Sequence, residues 1–378
     1  MPDTLLAADS AVAEPWTLRE IRQQPETLKA TQALLTAARA EIEAFIAPLL
    51  ARPEMRVVLT GAGTSAFIGD ALAPWLSLRL DRTVDAVATT NIVSAPVLYL
   101  RRDVPTLLVS FGRSGNSPES IAAIDVAEAA LSEVYHLLIT CNGDGELAKR
   151  RSPNTHVVIL PEATHDRGFA MTSSFSAMML GALSILGGIA ALDTRMPHIS
   201  AAVAEMLQRA DPITTDLAGR GFERVVYLGS GIFQGLAREA ALKLMELSDG
   251  RVVTAFDTAM GFRHGPKTII NDRTLVIAFL SNDPLTRRYD LDIVEELRSE
   301  GRCGATLVVS AGEQQDGAIT VSGMQAADDC DLLFPFIIPA QLFALRVSQV
   351  LGLTPDQPNA SGTVSRVVQG VRIYASAA

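Results

Sequence analysis

Two stretches of this chain repeat each other at a fixed interval. "RVVLTGAG" at 56–63 returns as "RVVYLGSG" at 224–231, and "TLLVSF" at 106–111 returns as "TLVIAF" at 274–279, both 168 positions later. A third run, "LLIT" at 137, is answered by "LVVS" at 307, the interval having grown by two. Ordered matches at one interval identify two copies of a single supersecondary unit. Each run is short and β-branched, bounded by Gly, Pro or Asn, and "YHLLITCN" (135–142) and "HVVILP" (156–161) continue the series with helically spaced segments between them. Buried strands alternating with helices predict a parallel sheet covered on both faces. The expected fold class is therefore α/β, with two doubly wound parallel-sheet domains in tandem. Residues 1–52 are expected to form an N-terminal helical segment, 53–210 the first domain and 221–378 the second, with a linker near "RADPITTDLAGRGFE" (209–223). The helical segment rests on the spacing of 17–51, broken at Pro25 and ended near Pro53.

Composition narrows the function classes. A chain of 378 residues, 48% hydrophobic and 20% charged, buries a substantial core and is long enough for two domains. A net charge of −10 disfavours nonspecific binding to nucleic acid or to an anionic membrane. Cys141, Cys303 and Cys330 form no C-x-x-C pair, which argues against a disulfide framework and a structural zinc site and suits a cytoplasmic location. The N-terminus lacks the basic n-region and long apolar core of a signal peptide. The run "AMMLGALSILGGIAAL" (177–192) has 16 residues, short of the roughly 20 a membrane span needs, and is expected to be a buried helix.

The polar residues with chemical potential collect at predicted strand ends. In "SFGRSGNSPES" (110–120), Ser114, Asn116, Ser117 and Ser120 crowd a strand-to-helix junction together with Gly112 and Gly115. Two readings compete there: capping of the helix, since Ser and Asn satisfy the free N–H groups of a first turn, or a seat for phosphate at the positive end of the helix dipole. "GAGTSA" (61–66) fits G-x-G-x-x-A, and Asp81 and Asp85 lie about where a ribose-binding carboxylate belongs in a dinucleotide fold. Thr64 and Ser65 line that turn, however, where a pyrophosphate needs bare backbone. The second copy, "GSGIFQ", has no hydroxyl after Ser230 and reads as a structural turn.

Taken together, "GAGTSAF", "GRSGNSPES", "THDRGFAMTSS" (164–174), "EAALKLMEL" (239–247), "GFRHGPK" (261–267) and "SGTVSRVVQGV" (361–371) resemble the sugar isomerase (SIS) family in its tandem, flavodoxin-like form, over nearly the whole chain. The combination is similar to the galactosamine-6-phosphate deaminase/isomerase subgroup, also described as tagatose-6-phosphate ketose/aldose isomerases, and more distantly to the isomerase half of glucosamine-6-phosphate synthase. The resemblance implies a sugar-phosphate site in the first copy. Gly63, Thr64 and Ser65 would touch the sugar. Arg113, Ser114, Asn116 and Ser117 would form the phosphate loop, with Gly112 standing where many members carry a serine and Arg113 compensating. Thr172 and Ser173 match a further hydroxyl pair of the family. Completion of such sites by the second copy and by a dimer partner implies a homodimer or higher homo-oligomer.

Glu239, Lys243 and Glu246 fall at i, i+4 and i+7, one stripe of a helix. The stripe reads either as a surface ion-pair ladder or, within the apolar "ALKLMEL", as a partly buried acid–base set. In relatives the glutamate matching Glu246 moves a proton between C1 and C2, and the lysine matching Lys243 assists. The histidine matching His264 opens the sugar ring; otherwise His264 is a structural loop residue. The synthase captures a ketose as an imine on a tail lysine, whereas the last lysine here is Lys267, so that route is not expected. The expected reaction converts galactosamine 6-phosphate to tagatose 6-phosphate and ammonia, without metal or organic cofactor. The alternatives are isomerisation of a neutral sugar phosphate, or sugar-phosphate sensing without turnover.

Overall fold

The computed structural model describes residues 14–312, 317–368 and 370–374. Five parallel strands, β1 (Arg56–Thr60), β2 (Val84–Ala86), β3 (Thr106–Gly112), β4 (Val134–Thr140) and β5 (Thr155–Ile159), form a first sheet in the order β2-β1-β3-β4-β5. Five more, β6 (Arg224–Gly229), β7 (Val253–Asp257), β8 (Thr274–Phe279), β9 (Ala305–Ala311) and β10 (Ala318–Val321), form a second parallel sheet in the order β7-β6-β8-β9-β10. Both follow the doubly wound 2-1-3-4-5 order, as the repeat and the alternating pattern require. The correspondence extends to register: Arg56 faces Thr106 in the first sheet as Arg224 faces Thr274 in the second. Strand β3 is buried at every residue, the signature of a central strand covered on both faces.

Helices Trp16–Arg22, Gln24–Ala37 and Arg39–Leu50 make up the described part of the N-terminal segment, residues 1–13 of which lie outside the described residues. Pro25 sits in the first turn of the second, where its missing N–H has no partner to lose. A further break at Ala38 carries no sequence signal. Buried side-chain bonds lock this segment in place. Gln24 donates to Gln341 Oε1 (2.7 Å) and accepts from Ser176 Oγ (2.5 Å), and Gln32 accepts from Ser184 Oγ (2.9 Å). One hydrophobic core runs from Leu18 to Val347 and includes residues of both sheets, so the two copies share their interior.

The apolar run at 177–192 is divided at Gly188, whose φ of 112° ends helix Ser173–Gly187, buried at every residue, and begins helix Ile189–Gly219. That second helix passes through the stretch expected to be a linker; 209–219 are its last turns, and only 220–223 connect to β6. Helix Asp329–Val350 is long and apolar enough to cross a membrane, but 94% of its most apolar window is buried inside the fold.

The helices that follow β1 and β6, Thr64–Arg79 and Phe233–Leu247, run antiparallel against each other. Thr64 meets Lys243 (3.0 Å), Asp70 meets Arg238 (2.7 Å), and Gly235 packs on Ala71. A Cβ at Gly235 would lie 2.4 Å from the Ala71 backbone nitrogen. A glycine inside a helix costs roughly 1 kcal/mol relative to alanine, and this one is explained by the close approach it permits. Gly235→Val is therefore expected to destabilise the protein by about 1–3 kcal/mol through overpacking, and to lower turnover by moving Lys243 away from Thr64. Thermal unfolding and steady-state rates on one preparation check this; an unchanged melting temperature would contradict the packing.

Candidate functional site

The strand-to-helix turn after β1 is built by two glycines. A Cβ at Gly61 would lie 2.6 Å from Ser65 Cβ, and Gly63 adopts φ 54°. Gly229 and Gly231 repeat both demands after β6, with Phe233 O 2.5 Å from a built Cβ and φ 59°. The G-x-G pattern is thus a requirement of the turn in both copies. Asp85 is held by Arg56 at 2.7 Å, occupied by an ion pair and not disposed as a ribose ligand. What distinguishes the first copy is its hydroxyls: Thr64 and Ser65 are buried in the first turn of their helix.

Thr64 is joined to the second copy through Lys243. The Lys243 ammonium donates to Thr64 Oγ1 (3.0 Å) and Glu246 Oε2 (2.5 Å), and lies 3.4 Å from Glu239 Oε1. Lys243 and Glu239 are fully buried, whereas the Glu246 side chain is 26% exposed. The stripe is therefore no surface ladder: a buried cation ties one carboxylate beneath it to another that opens outward. Burial acts to lower the Lys243 pKa, but the Glu239 and Glu246 charges outweigh it and the net shift is upward. Glu239 is pushed up to about 7, chiefly by burial, with Lys243 opposing.

The Glu239 shift fixes a pH dependence. A carboxyl whose folded pKa lies above its unfolded value stabilises the fold fully below the unfolded value, near 4.5, and loses that contribution as pH rises through about 7. Glu239→Gln removes this titration. Between pH 5 and pH 8 the wild type should lose stability relative to Glu239→Gln by on the order of 3 kcal/mol. Parallel denaturant titrations across that range measure the difference, and parallel pH profiles would refute the assignment.

The junction after β3 is braced by its own side chains. Asn116 Oδ1 accepts from Glu146 N (2.9 Å), Ser114 Oγ accepts from Asn116 N (3.3 Å), and the Ser117 and Ser120 hydroxyls share a bond (2.9 Å). Ser117 is the N-cap of helix Pro118–Ala130 but makes no side-chain cap bond, so capping does not consume its hydroxyl. A Cβ at Gly112 would lie 2.7 Å from Leu147 Cδ1, so the leucine would have to shift to admit the serine of other family members. Arg113 is buried and turns to backbone carbonyls: Phe169 O (3.1 Å), Gly168 O (3.4 Å) and Arg366 O (2.8 Å).

Sequence reasoning missed Asp166. Its carboxylate caps helix Ser173–Gly187 by accepting from Thr172 N (2.8 Å), Ser174 N (2.9 Å), Ser174 Oγ (2.5 Å) and Ser173 Oγ. Ser173, also reached by Gln23 Nε2 (3.0 Å), is fully buried and spent on this cap. Thr172 Oγ1 is buried without a partner among the described residues. Glu20, from the N-terminal segment, accepts from Gly168 N (3.1 Å) and from Arg167 N, and so helps hold the same turn. The cue was present in "THDRG", a charged burst before an apolar helix, but nothing local says which donors Asp166 meets.

The structure thus joins Thr64, Lys243 and Glu246 directly, with Arg113 close enough to feel the Glu246 charge. His264 is not brought to this group. It lies exposed between the short helical turns Gly261–Arg263 and Pro266–Ile269, and its side chain bonds to no described residue. In the second copy the loop matching the phosphate junction carries Asp283, which caps helix Pro284–Glu300 by accepting from Thr286 N (2.8 Å). The cavity of about 610 Å³ beside it is lined by Asp283, Asp328 and Asp329, a setting that repels an anion.

Residues 49–185 match the SIS domain. A Streptomyces coelicolor protein is 48% identical over 99% of this chain and 98% of its own length. The D-galactosamine-6-phosphate deaminase of Escherichia coli is 42% identical over 99% of both chains. The crystal structure of tagatose-6-phosphate ketose/aldose isomerase from Escherichia coli superposes with a TM-score of 0.84 at 40% identity, covering 99% of this chain and 100% of that one. The chain belongs to the SIS-domain family, in the group of the D-galactosamine-6-phosphate deaminases.

Proposed function

We propose that this enzyme converts galactosamine 6-phosphate to tagatose 6-phosphate and ammonia. The observation that carries the reading is the Thr64–Lys243–Glu246 group, in which a carboxylate from the second copy is held at the hydroxyl-lined turn of the first. In the open-chain sugar, Glu246 takes the C2 proton, made acidic by the C1 aldehyde, and returns it to C1. The enaminol formed between these steps becomes a C2 ketimine. Water adds to the ketimine and ammonia leaves, giving the 2-ketose with atoms balanced and no external oxidant or reductant. Lys243 holds Glu246 in place at 2.5 Å, and the hydroxyls of Thr64, Ser65, Ser114, Ser117 and Thr172 would turn to sugar and phosphate when these bind. Sugar phosphates are intracellular metabolites, which favours a cytoplasmic location.

Ammonia release from galactosamine 6-phosphate by the purified protein tests the reaction; ketose formation from a neutral aldose phosphate without ammonia would point to simple isomerisation. His264 would reach the site from a second copy in a homo-oligomer, since its side chain bonds to no described residue of its own chain. Mixing inactive Glu246→Gln and His264→Ala proteins should then restore about a quarter of the activity in reassociated dimers, if the two residues act across the subunit interface. Recovery of none would place His264 in the site of its own subunit.

A further inference from the structure

The C-terminal tail returns to the first copy along a defined path. Asp356 caps helix Trp16–Arg22 by accepting from the backbone N–H groups of Trp16 and Thr17, both at 2.8 Å, and Asn359 donates to Asp249 (2.8 Å). Arg366 follows, half-buried. Its Nε donates to Gly168 O (3.2 Å) and its Nη2 to Asp166 O, while its own carbonyl accepts from Arg113 Nη2 (2.8 Å). Two guanidinium groups therefore share one turn, 166–169, which leads into helix Ser173–Gly187, and Arg113 itself adjoins the Ser114–Ser117 junction in sequence.

Their partners are all carbonyl oxygens. Among the described residues, neither guanidinium lies within 4.0 Å of a carboxylate. Asp166 is the nearest candidate counter-charge, but four donors at the start of helix Ser173–Gly187 occupy its oxygens. Glu20 is turned to the backbone amides of Arg167 and Gly168. A buried cation with no anion in contact is costly, and a second cation beside it raises that cost; burial and then Arg366 push the Arg113 pKa down, with the Asp166 and Glu246 charges only partly opposing. Each guanidinium has five N–H groups, and the bonds above leave donors on both. Paired, planar donor groups of this kind match a phosphate dianion.

We propose that Arg113 and Arg366 form a guanidinium pair that binds the phosphate of the sugar phosphate, so that the C-terminal tail contributes a phosphate-binding residue to the first copy's site. This rests on the sugar-phosphate reading and departs from a phosphate loop made of hydroxyls alone. With the tail in place Arg113 is only 7% exposed, and the Arg366 carbonyl takes one of its N–H groups.

Inorganic phosphate is the probe, measured by calorimetry on the full chain and as a competitive inhibitor of ammonia release. The variants are Arg366→Lys, which keeps the charge and loses the fork, and Arg366→Gln, which keeps a donor and loses the charge. Truncating a charged hydrogen bond should weaken phosphate by about tenfold or more in Arg366→Gln, while Arg366→Lys, which keeps the charge and loses only the fork, weakens it less. Equal weakening in both variants would make Arg366 only a latch for the tail. Unchanged affinity in both, or no phosphate binding by the wild type at millimolar concentration, would equally overturn the pair. Phosphate binding that depends on the Arg366 charge, without any ammonia release, would uphold the pair and reject the deamination.

Discussion

Replacing Glu246 with glutamine is expected to lower kcat by about 10² to 10⁴, the usual contribution of a positioned general base, with little change in KM or in binding of the sugar-phosphate product. Glutamine has the same shape, and its carbonyl oxygen can still accept the Lys243 proton now bonded at 2.5 Å. It cannot carry a proton between C1 and C2. The two parameters therefore separate, as they do when an interaction made in the transition state is removed. A loss below tenfold would assign the proton to another group. Glu239 is the nearest alternative, but it is sealed beneath Lys243 with no exposure, whereas Glu246 opens to the outside.

Lys243→Met should be costly in a different way. Lys243 is fully buried between Glu239 and Glu246, and its removal leaves two carboxylates facing each other without a cation. Breaking a buried ion pair from one side costs about 3–5 kcal/mol, and the link to Thr64 that joins the two copies is lost with it. The expected result is a markedly lower melting temperature together with loss of activity. Adding Glu239→Gln removes one of the stranded charges, so the double variant should recover part of the stability and none of the activity. A Lys243→Met protein as stable as wild type would show that the buried triad contributes no net stability.

Much of the site was legible in the sequence because its residues sit at strand ends and along one helical stripe, both read by counting. The stripe Glu239, Lys243, Glu246 fell on one helix, as its spacing required. Its burial was not legible: a surface ladder and a buried triad share the same spacing, and only the packing of helix Thr64–Arg79 at Gly235 distinguishes them. The hydroxyl clusters were legible as clusters, but not in their use. Ser173 looked like Thr172 in the sequence, yet Asp166, seven positions earlier, takes the Ser173 hydroxyl while Thr172 Oγ1 finds no partner among the described residues. Arg113 looked like a stand-in for a missing serine, and the structure gives its donors to carbonyls 55 to 253 positions away.

By itself, the order of residues determined the two-copy α/β plan, since strand and helix periods and a 168-residue echo are local or countable properties that survive without knowing any contact. It also determined which residue types stand at the strand ends. Only the tertiary structure decided that the copies share one core, that Lys243 is sealed between two acids, and that the tail's Arg366 lies beside Arg113. These outcomes depend on which surfaces are removed from water together. Burial, and with it the cost of an unpaired charge, belongs to contacts between segments hundreds of residues apart, and no local pattern encodes it.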